Sequence, residues 1–159
     1  MQITQTQVHR LIALAQKTRH FAFAHRSGHP IGASVLTVDG RIYGGCNIES
    51  VISGMGTCAE RTAMDHAIAH GAYEFRAICT VDNGLTPSCG ACLQYALLFS
   101  QLENDDIVVV TADTHGHYQV TPLSVLLPDG YKTKHNLSVI RSFRKKAKRK
   151  SKTVTRRKK

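Results

Sequence analysis

The sequence predicts an α/β protein, a three-layer α/β/α sandwich around one mixed sheet. Three observations carry that prediction: a helix-period segment opens the chain, a hairpin signal at Asp39-Gly40 comes next, and apolar helices then alternate with short β-branched runs. In residues 4–20, Val8, Leu11, Ile12 and Ala15 recur at helical spacing, with Thr4 or Thr6 as cap. Phe21 and Phe23 are expected to extend that apolar face, and Ser27-Gly28-His29-Pro30 to break the helix. Residues 31–38 and 41–46 form a hairpin around Asp39-Gly40. A second helix runs from Cys58 to His70, with Ala63, Met64, Ala67 and Ile68 inward and Gly71 just past its end. Residues 77–81 are a short buried strand, and 90–100 a third helix, apolar through Leu93, Ala96, Leu97 and Leu98. Residues 107–110 are a core strand, 117–120 a weaker one, and 123–127 a helical turn ended by Pro128.

The 159 residues suit one catalytic domain, residues 1–131, followed by a transition at 132–140 and a basic tail at 141–159. Twelve of the 21 Lys and Arg residues lie in the tail, which has no Asp or Glu; the rest of the chain holds nine basic and eleven acidic residues, a net of −2. The net charge of +10 therefore describes a tail rather than a basic globule. Such like-charged blocks are expected to be disordered and to attract polyanions regardless of sequence. Nonspecific nucleic acid is the partner they suggest, with acidic lipid or a nuclear import receptor as other readers. No segment has the length and apolarity of a membrane span or the pattern of a signal peptide, so the expected location is the cytoplasm.

Cysteine spacing carries the chemistry. Cys58 stands in Thr57-Cys58-Ala59-Glu60-Arg61, and Cys89 and Cys92 stand in Ser88-Cys89-Gly90-Ala91-Cys92. Three thiolates at two predicted helix starts suit one zinc ion, and a catalytic zinc site keeps three protein ligands with a fourth position for water. Glu60 is a poor fourth ligand among thiolates and is better used to move protons. Arg61 is placed to offset the negative charge of three thiolates by bonding a ligand sulfur. A closed structural site needs a fourth ligand, and His66 and His70 lie too far along the second helix to supply it. Cys46 and Cys79 read as small core residues. Asn47 and Glu49 follow a strand end, where an amide and a carboxylate can face a sugar, although spacing alone fits a solvated turn equally well.

Asn47-Ile48-Glu49, Thr57 to Ala63 and Ser88 to Gln94, with their intervals, resemble the motifs of the small cytidine deaminases. The resemblance runs from about residue 5 to Tyr131 and implies a cytidine-deaminase-like fold. It also implies hydrolytic deamination of cytidine and deoxycytidine, with Zn2+ on Cys58, Cys89 and Cys92. Glu60 would take a proton from water, protonate the ring at N3 and help ammonia depart. Asn47 and Glu49 would hold the ribose, backbone groups near Ala59 and Ser88 would read the base edge, and the assembly would be a homotetramer serving pyrimidine salvage. The sequence departs from the family pattern at His29, Ser53 and Leu93, where an aromatic ring, a tyrosine and an arginine are usual. His29 is thus a further substrate-binding candidate, able to stack on a pyrimidine or hydrogen-bond a different group. Two alternatives are a deaminase of another aminopyrimidine such as blasticidin S, against which Glu49 argues, and a deaminase-fold protein brought to nucleic acid by its tail.

Overall fold

The computed structural model describes residues 3–134 and 136–145. Helix α1 (Gln5–Arg19) starts at Thr4, whose hydroxyl accepts from the Gln7 N–H while the Gln7 side chain accepts from the Thr4 N–H. This reciprocal cap satisfies two donors that a helix start otherwise leaves bare. The hairpin β1 (Gly32–Thr37) and β2 (Ile42–Cys46) is next in the chain, its turn closed with Gly40 at φ 86°. Then come α2 (Ala59–Ala69), β3 (Phe75–Asp82), α3 (Gly90–Glu103), β4 (Val108–Asp113), β5 (Tyr118–Pro122) and the single turn α4 (Leu123–Leu126).

The five strands form one sheet in the order β2-β1-β3-β4-β5. Only β3 and β4 run parallel, joined by a crossover through α3, and the other pairs are antiparallel. Side chains alternate across the sheet. Leu36, Ala77, Cys79, Val81, Val108, Val110 and Ala112 pack with Leu11, Ile12 and Ala15 of α1. Ala33, Val35, Ile78 and Val109 face the opposite way, against Ala63, Met64, Ala67, Ala96 and Leu97 of α2 and α3. The expected three-layer α/β/α sandwich with a mixed sheet is therefore the observed fold.

Gly45 sets how close α2 comes to the sheet. A Cβ there would stand 2.3 Å from the Ala63 nitrogen and 2.7 Å from the Ala59 oxygen. Any side chain on Gly45 would push away the first turn of α2, which carries Cys58 and Glu60.

Three expectations change. Phe21 and Phe23 do not extend the buried face of α1, because α1 ends at Arg19 and the next residues turn outward; the two rings are 72% and 58% exposed. Cys46 is only half-buried, since β2 is an edge strand, whereas Cys79 is fully buried as expected. Residues 137–145 form a further helix, α5, so the segment beginning at 141 is not uniformly a free tail. Leu137 and Ile140 pack on the core, and Arg144 has acidic partners in Glu74 and Glu103, which gives these residues something to order against. The rest of the expected tail, 146–159, lies outside the described residues.

Candidate active site

Cys58 is the N-cap of α2 and Cys89 the N-cap of α3, both with extended backbone angles and neither capping its helix with its own side chain. Their sulfurs stay available, and Cys92 adds a third from the first turn of α3. The three Sγ atoms lie within 4.8 Å of one another, with Cys58 and Cys89 at 4.0 Å. Sulfurs bonded to one tetrahedral zinc at about 2.3 Å would stand roughly 3.8 Å apart, so the donor set fits that ion. Hydrogen bonding to Cys58 from the Cys92 thiol, aided by Cys89 and the charge of Arg61, lowers the Cys58 pKa to about 6 against a burial effect in the other direction. Donating that bond, burial and the nearby Glu60 charge push Cys92 upward.

A cavity of about 490 Å³ opens onto Cys58 and Cys89. That size falls in the range of small-molecule sites. Its walls include Ala59, Glu60, Asn47, Glu49 and Asp82. Glu60 lies in the first turn of α2 and is 5% exposed, and no described residue donates a hydrogen bond to its carboxylate. Its proton-accepting capacity is therefore directed at whatever enters the cavity.

Asn47 and Glu49 are brought to the cavity, where each also holds a loop. The Asn47 amide accepts from the Ile31 N–H at 2.8 Å and donates to the His29 carbonyl at 3.0 Å. The Glu49 carboxylate accepts from the N–H groups of Arg26 at 2.6 Å and Ser27 at 3.1 Å. Bonds from Ser27 and Arg26 hold its pKa below the ordinary carboxylate value.

Other sequence candidates fall just outside the cavity. Ser88 is turned inward, its hydroxyl 3.1 Å from that of Thr80, while Pro87 and Cys89 on either side line the wall. The Arg61 guanidinium donates to the Gly56 carbonyl at 3.4 Å rather than to a ligand sulfur, with its Nε buried and unpartnered. Its pull on Cys58 acts through space. The His29 ring does not form the cavity wall; its Nε2 meets the Asp82 carboxylate at 2.9 Å, and Asp82 lines the cavity in its place. Ser53, by contrast, is in the cavity wall, and Leu93 is buried in the core.

Asp82 is the site residue that sequence reasoning missed. It ends β3, is 3% exposed, and accepts from the Asn83 N–H as well as meeting His29. The available signal was its place at the carboxyl end of a strand paired in parallel, where open α/β sheets bind ligands. Thr80, Thr86 and Arg26 are among the other unanticipated lining residues.

A three-thiol cluster at two adjacent helix starts, an unbonded glutamate beside it and a nucleoside-sized cavity define a zinc-dependent deaminase site on this fold. The cytidine and deoxycytidylate deaminase zinc-binding region matches residues 5–111, and the chain belongs to that family. It is 37% identical over 133 residues to the cytidine deaminase of Sporosarcina psychrophila, a match covering 82% of this chain and 95% of that one. The crystal structure of cytidine deaminase from Burkholderia pseudomallei superposes with a TM-score of 0.72 at 35% identity, covering 81% of this chain and all of that one. The Mycobacterium tuberculosis cytidine deaminase gives a TM-score of 0.68 at 27% identity, covering 79% and 97% of the two chains. The family's zinc-binding region and the arrangement of the three cysteines together make zinc the cofactor.

Proposed function

We propose that the protein hydrolyses cytidine and deoxycytidine to uridine and deoxyuridine, releasing ammonia. The observation that carries this reading is the Glu60 carboxylate, buried beside three clustered thiols and bonded to nothing else in the cavity. Cys58, Cys89 and Cys92 would hold the zinc, which when bound supplies the Lewis acidity that makes water nucleophilic near neutral pH.

Glu60 does the proton work. It takes a proton from water and gives it to N3 of the pyrimidine, then moves the proton remaining on the oxygen added at C4 to the departing amino nitrogen. Water adds oxygen at C4, the C4–N bond breaks, and the atoms balance as water plus cytidine giving uridine plus ammonia. Burial of Glu60 excludes bulk water from these transfers. Asn47 and Glu49 face the sugar, and their bonds to the 26–31 loop fix its position before substrate arrives. The backbone of Ala59, which is in the cavity wall, faces the base.

The homotetramer that the family resemblance implies would have apolar surface to bury, since Phe23, Val51, Ile52 and Met55 are exposed. None of the five cysteines is in a disulfide, which suits a reducing cytoplasm, and turnover of free nucleosides suits pyrimidine salvage. No helix among the described residues is long and apolar enough to cross a membrane.

The test is an ultraviolet assay with cytidine, deoxycytidine, blasticidin S and a cytosine oligonucleotide, run on the wild type and Glu60→Ala. Turnover of the two nucleosides, lost in the variant while zinc content stays at one per chain, is the expected result. Preferred turnover of blasticidin S or of the oligonucleotide would replace the substrate assignment. Undiminished turnover in Glu60→Ala would remove the proton carrier from the mechanism.

A further inference from the structure

We infer that His29 is a positioning residue: its ring bond to Asp82 joins two walls of the cavity and sets where Asn47 and Glu49 stand relative to the thiols. This role rests on the proposed grip of Asn47 and Glu49 on the sugar.

Strand order puts His29 between those walls. β1 lies between β2 and β3 and is antiparallel to both, so β2 and β3 end at the edge where the chain enters β1. Asn47 and Glu49 follow the end of β2, and Asp82 is the last residue of β3. All three line the cavity. The chain beyond Asp82 runs through Thr86 and Pro87, which also line it, to the thiol of Cys89. One wall is thus the sugar side and the other leads to the metal side.

His29 commits its backbone to the sugar side. Its carbonyl accepts from the Asn47 amide at 3.0 Å, and the amide oxygen accepts from the Ile31 N–H at 2.8 Å. The His29 N–H donates to the Ser27 hydroxyl at 3.0 Å, and the Ser27 N–H donates to the Glu49 carboxylate at 3.1 Å. The ring goes the other way: Nε2 stands 2.9 Å and 3.1 Å from the two Asp82 oxygens. Asp82 accepts as well from the Asn83 N–H at 2.6 Å. Burial works to raise the Asp82 pKa, but bonds from Asn83, His29 and Thr86 bring it below the ordinary carboxylate value. An ionised carboxylate only accepts, so Nε2 carries the proton of the bond. From Gly32 onward the sheet itself holds β1 to β3, and the His29 ring extends that hold to the loop ahead of it. Loss of the ring bond leaves the bonds to Asn47 and Glu49 in place but frees that group from Asp82. Placement on this scale matters, because a shift of about 1 Å in a binding group can cost roughly 10²-fold in rate.

The experiment uses the zinc-loaded wild type, His29→Leu, His29→Gln, Asp82→Ala and the double variant His29→Leu with Asp82→Ala. Values of kcat/KM are measured for deoxycytidine and for its analogues lacking the 3′- or the 5′-hydroxyl. The wild type should lose about 100-fold or more on the analogue without the hydroxyl that Asn47 and Glu49 hold. His29→Leu should cut that preference about tenfold. His29→Gln, whose amide nitrogen can donate from the place of Nε2, should restore it to within about twofold. The double variant should lose no more preference than Asp82→Ala alone, since the two side chains act through one bond. Nitrogen-15 NMR of the wild type should show a proton on Nε2 of His29, with the ring signal shifted in Asp82→Ala. Wild-type preference in His29→Leu, additive losses in the double variant, or a His29 ring without a proton on Nε2 would each overturn the positioning role alone. A wild type that turns over none of the three nucleosides, or is indifferent to both hydroxyls, would overturn the sugar assignment of Asn47 and Glu49 and this role with it.

Discussion

The two ends of α3 are treated in opposite ways. At its start, Cys89 leaves its helix N–H groups uncapped and points its sulfur toward Cys58 and Cys92, and the nearby Glu60 carboxylate has no hydrogen-bonding partner among the described residues. At its end, Arg141 covers two carbonyls and Arg144 covers the Glu103 carboxylate. One end leaves its polar groups available to a cation and a substrate, and the other satisfies them from within the chain. The difference explains how a small domain can hold a reactive site without losing its packing: chemistry is confined to one end of α3, and the other end is closed by α5.

The largest expected effect breaks the reactive end. Glu60→Gln keeps the size of the side chain and removes its ability to carry protons, so turnover should fall by about 10²–10⁴-fold with zinc content unchanged. Steady-state assays beside elemental analysis check this, and equal losses of zinc and activity would show that Glu60 serves the metal instead. Cys89→Ala should act differently. With two thiols remaining, the zinc should be lost to a mild chelator that leaves the wild type intact, and activity should go with it. The fold should survive, because Cys89 is exposed and contributes little to the core.

Next in size are changes to the supports. Gly45→Ala places a methyl where α2 already touches β2, and should cost about 1–3 kcal/mol. Since the first turn of α2 must move, kcat/KM should fall together with the melting temperature. Arg144→Met, at the closed end, should cost about 1–3 kcal/mol by taking a cation away from two partly buried carboxylates, and kcat should stay at the wild-type value below the melting transition. Calorimetry paired with initial rates separates the two cases. A loss of kcat in Arg144→Met would show that the ends of α3 are coupled.

These features were unequally legible in the sequence. The helices α1, α2 and α3 were readable from their apolar period, the hairpin from Asp39-Gly40, β4 from its run of β-branched residues, and the zinc trio because its residue types have few other uses at that spacing. Glu60, Asn47 and Glu49 were readable as positions, and all three reach the cavity. Asp82 was not readable, because an aspartate before Asn83-Gly84 looks like a turn residue until the parallel pairing of β3 and β4 places it at a binding edge. His29 reads as a residue able to stack on a pyrimidine or hydrogen-bond another group, and its ring hydrogen-bonds Asp82 across 53 residues of sequence, a partner that no local pattern announces. The helix at 137–145 was hidden for a similar reason. Its residues mix Leu137, Val139, Ile140 and Phe143 with basic neighbours, and the core that takes Leu137 and Ile140 and the carboxylates that take Arg144 are brought together only by the fold.

The smallest effect lies at the β1–β2 turn, none of whose residues lines the cavity. Asp39 is held at a pKa of about 2, chiefly by the Arg41 guanidinium, with Thr37 also donating to it. Its folded pKa is below the ordinary carboxylate value, so the stabilisation is fully present above about pH 4 and lost as pH falls through about 2. The pair is about half exposed, and solvent screening limits its worth to roughly 0–1 kcal/mol. Asp39→Asn should therefore lower the melting temperature slightly at pH 6, with the difference from wild type vanishing near pH 2. It should leave cytidine turnover alone, because the turn touches neither the cavity nor α5. A difference that instead grew on acidification would mean that the carboxylate is stabilised less in the folded chain than in the unfolded one, the reverse of what its bonds to Arg41 require.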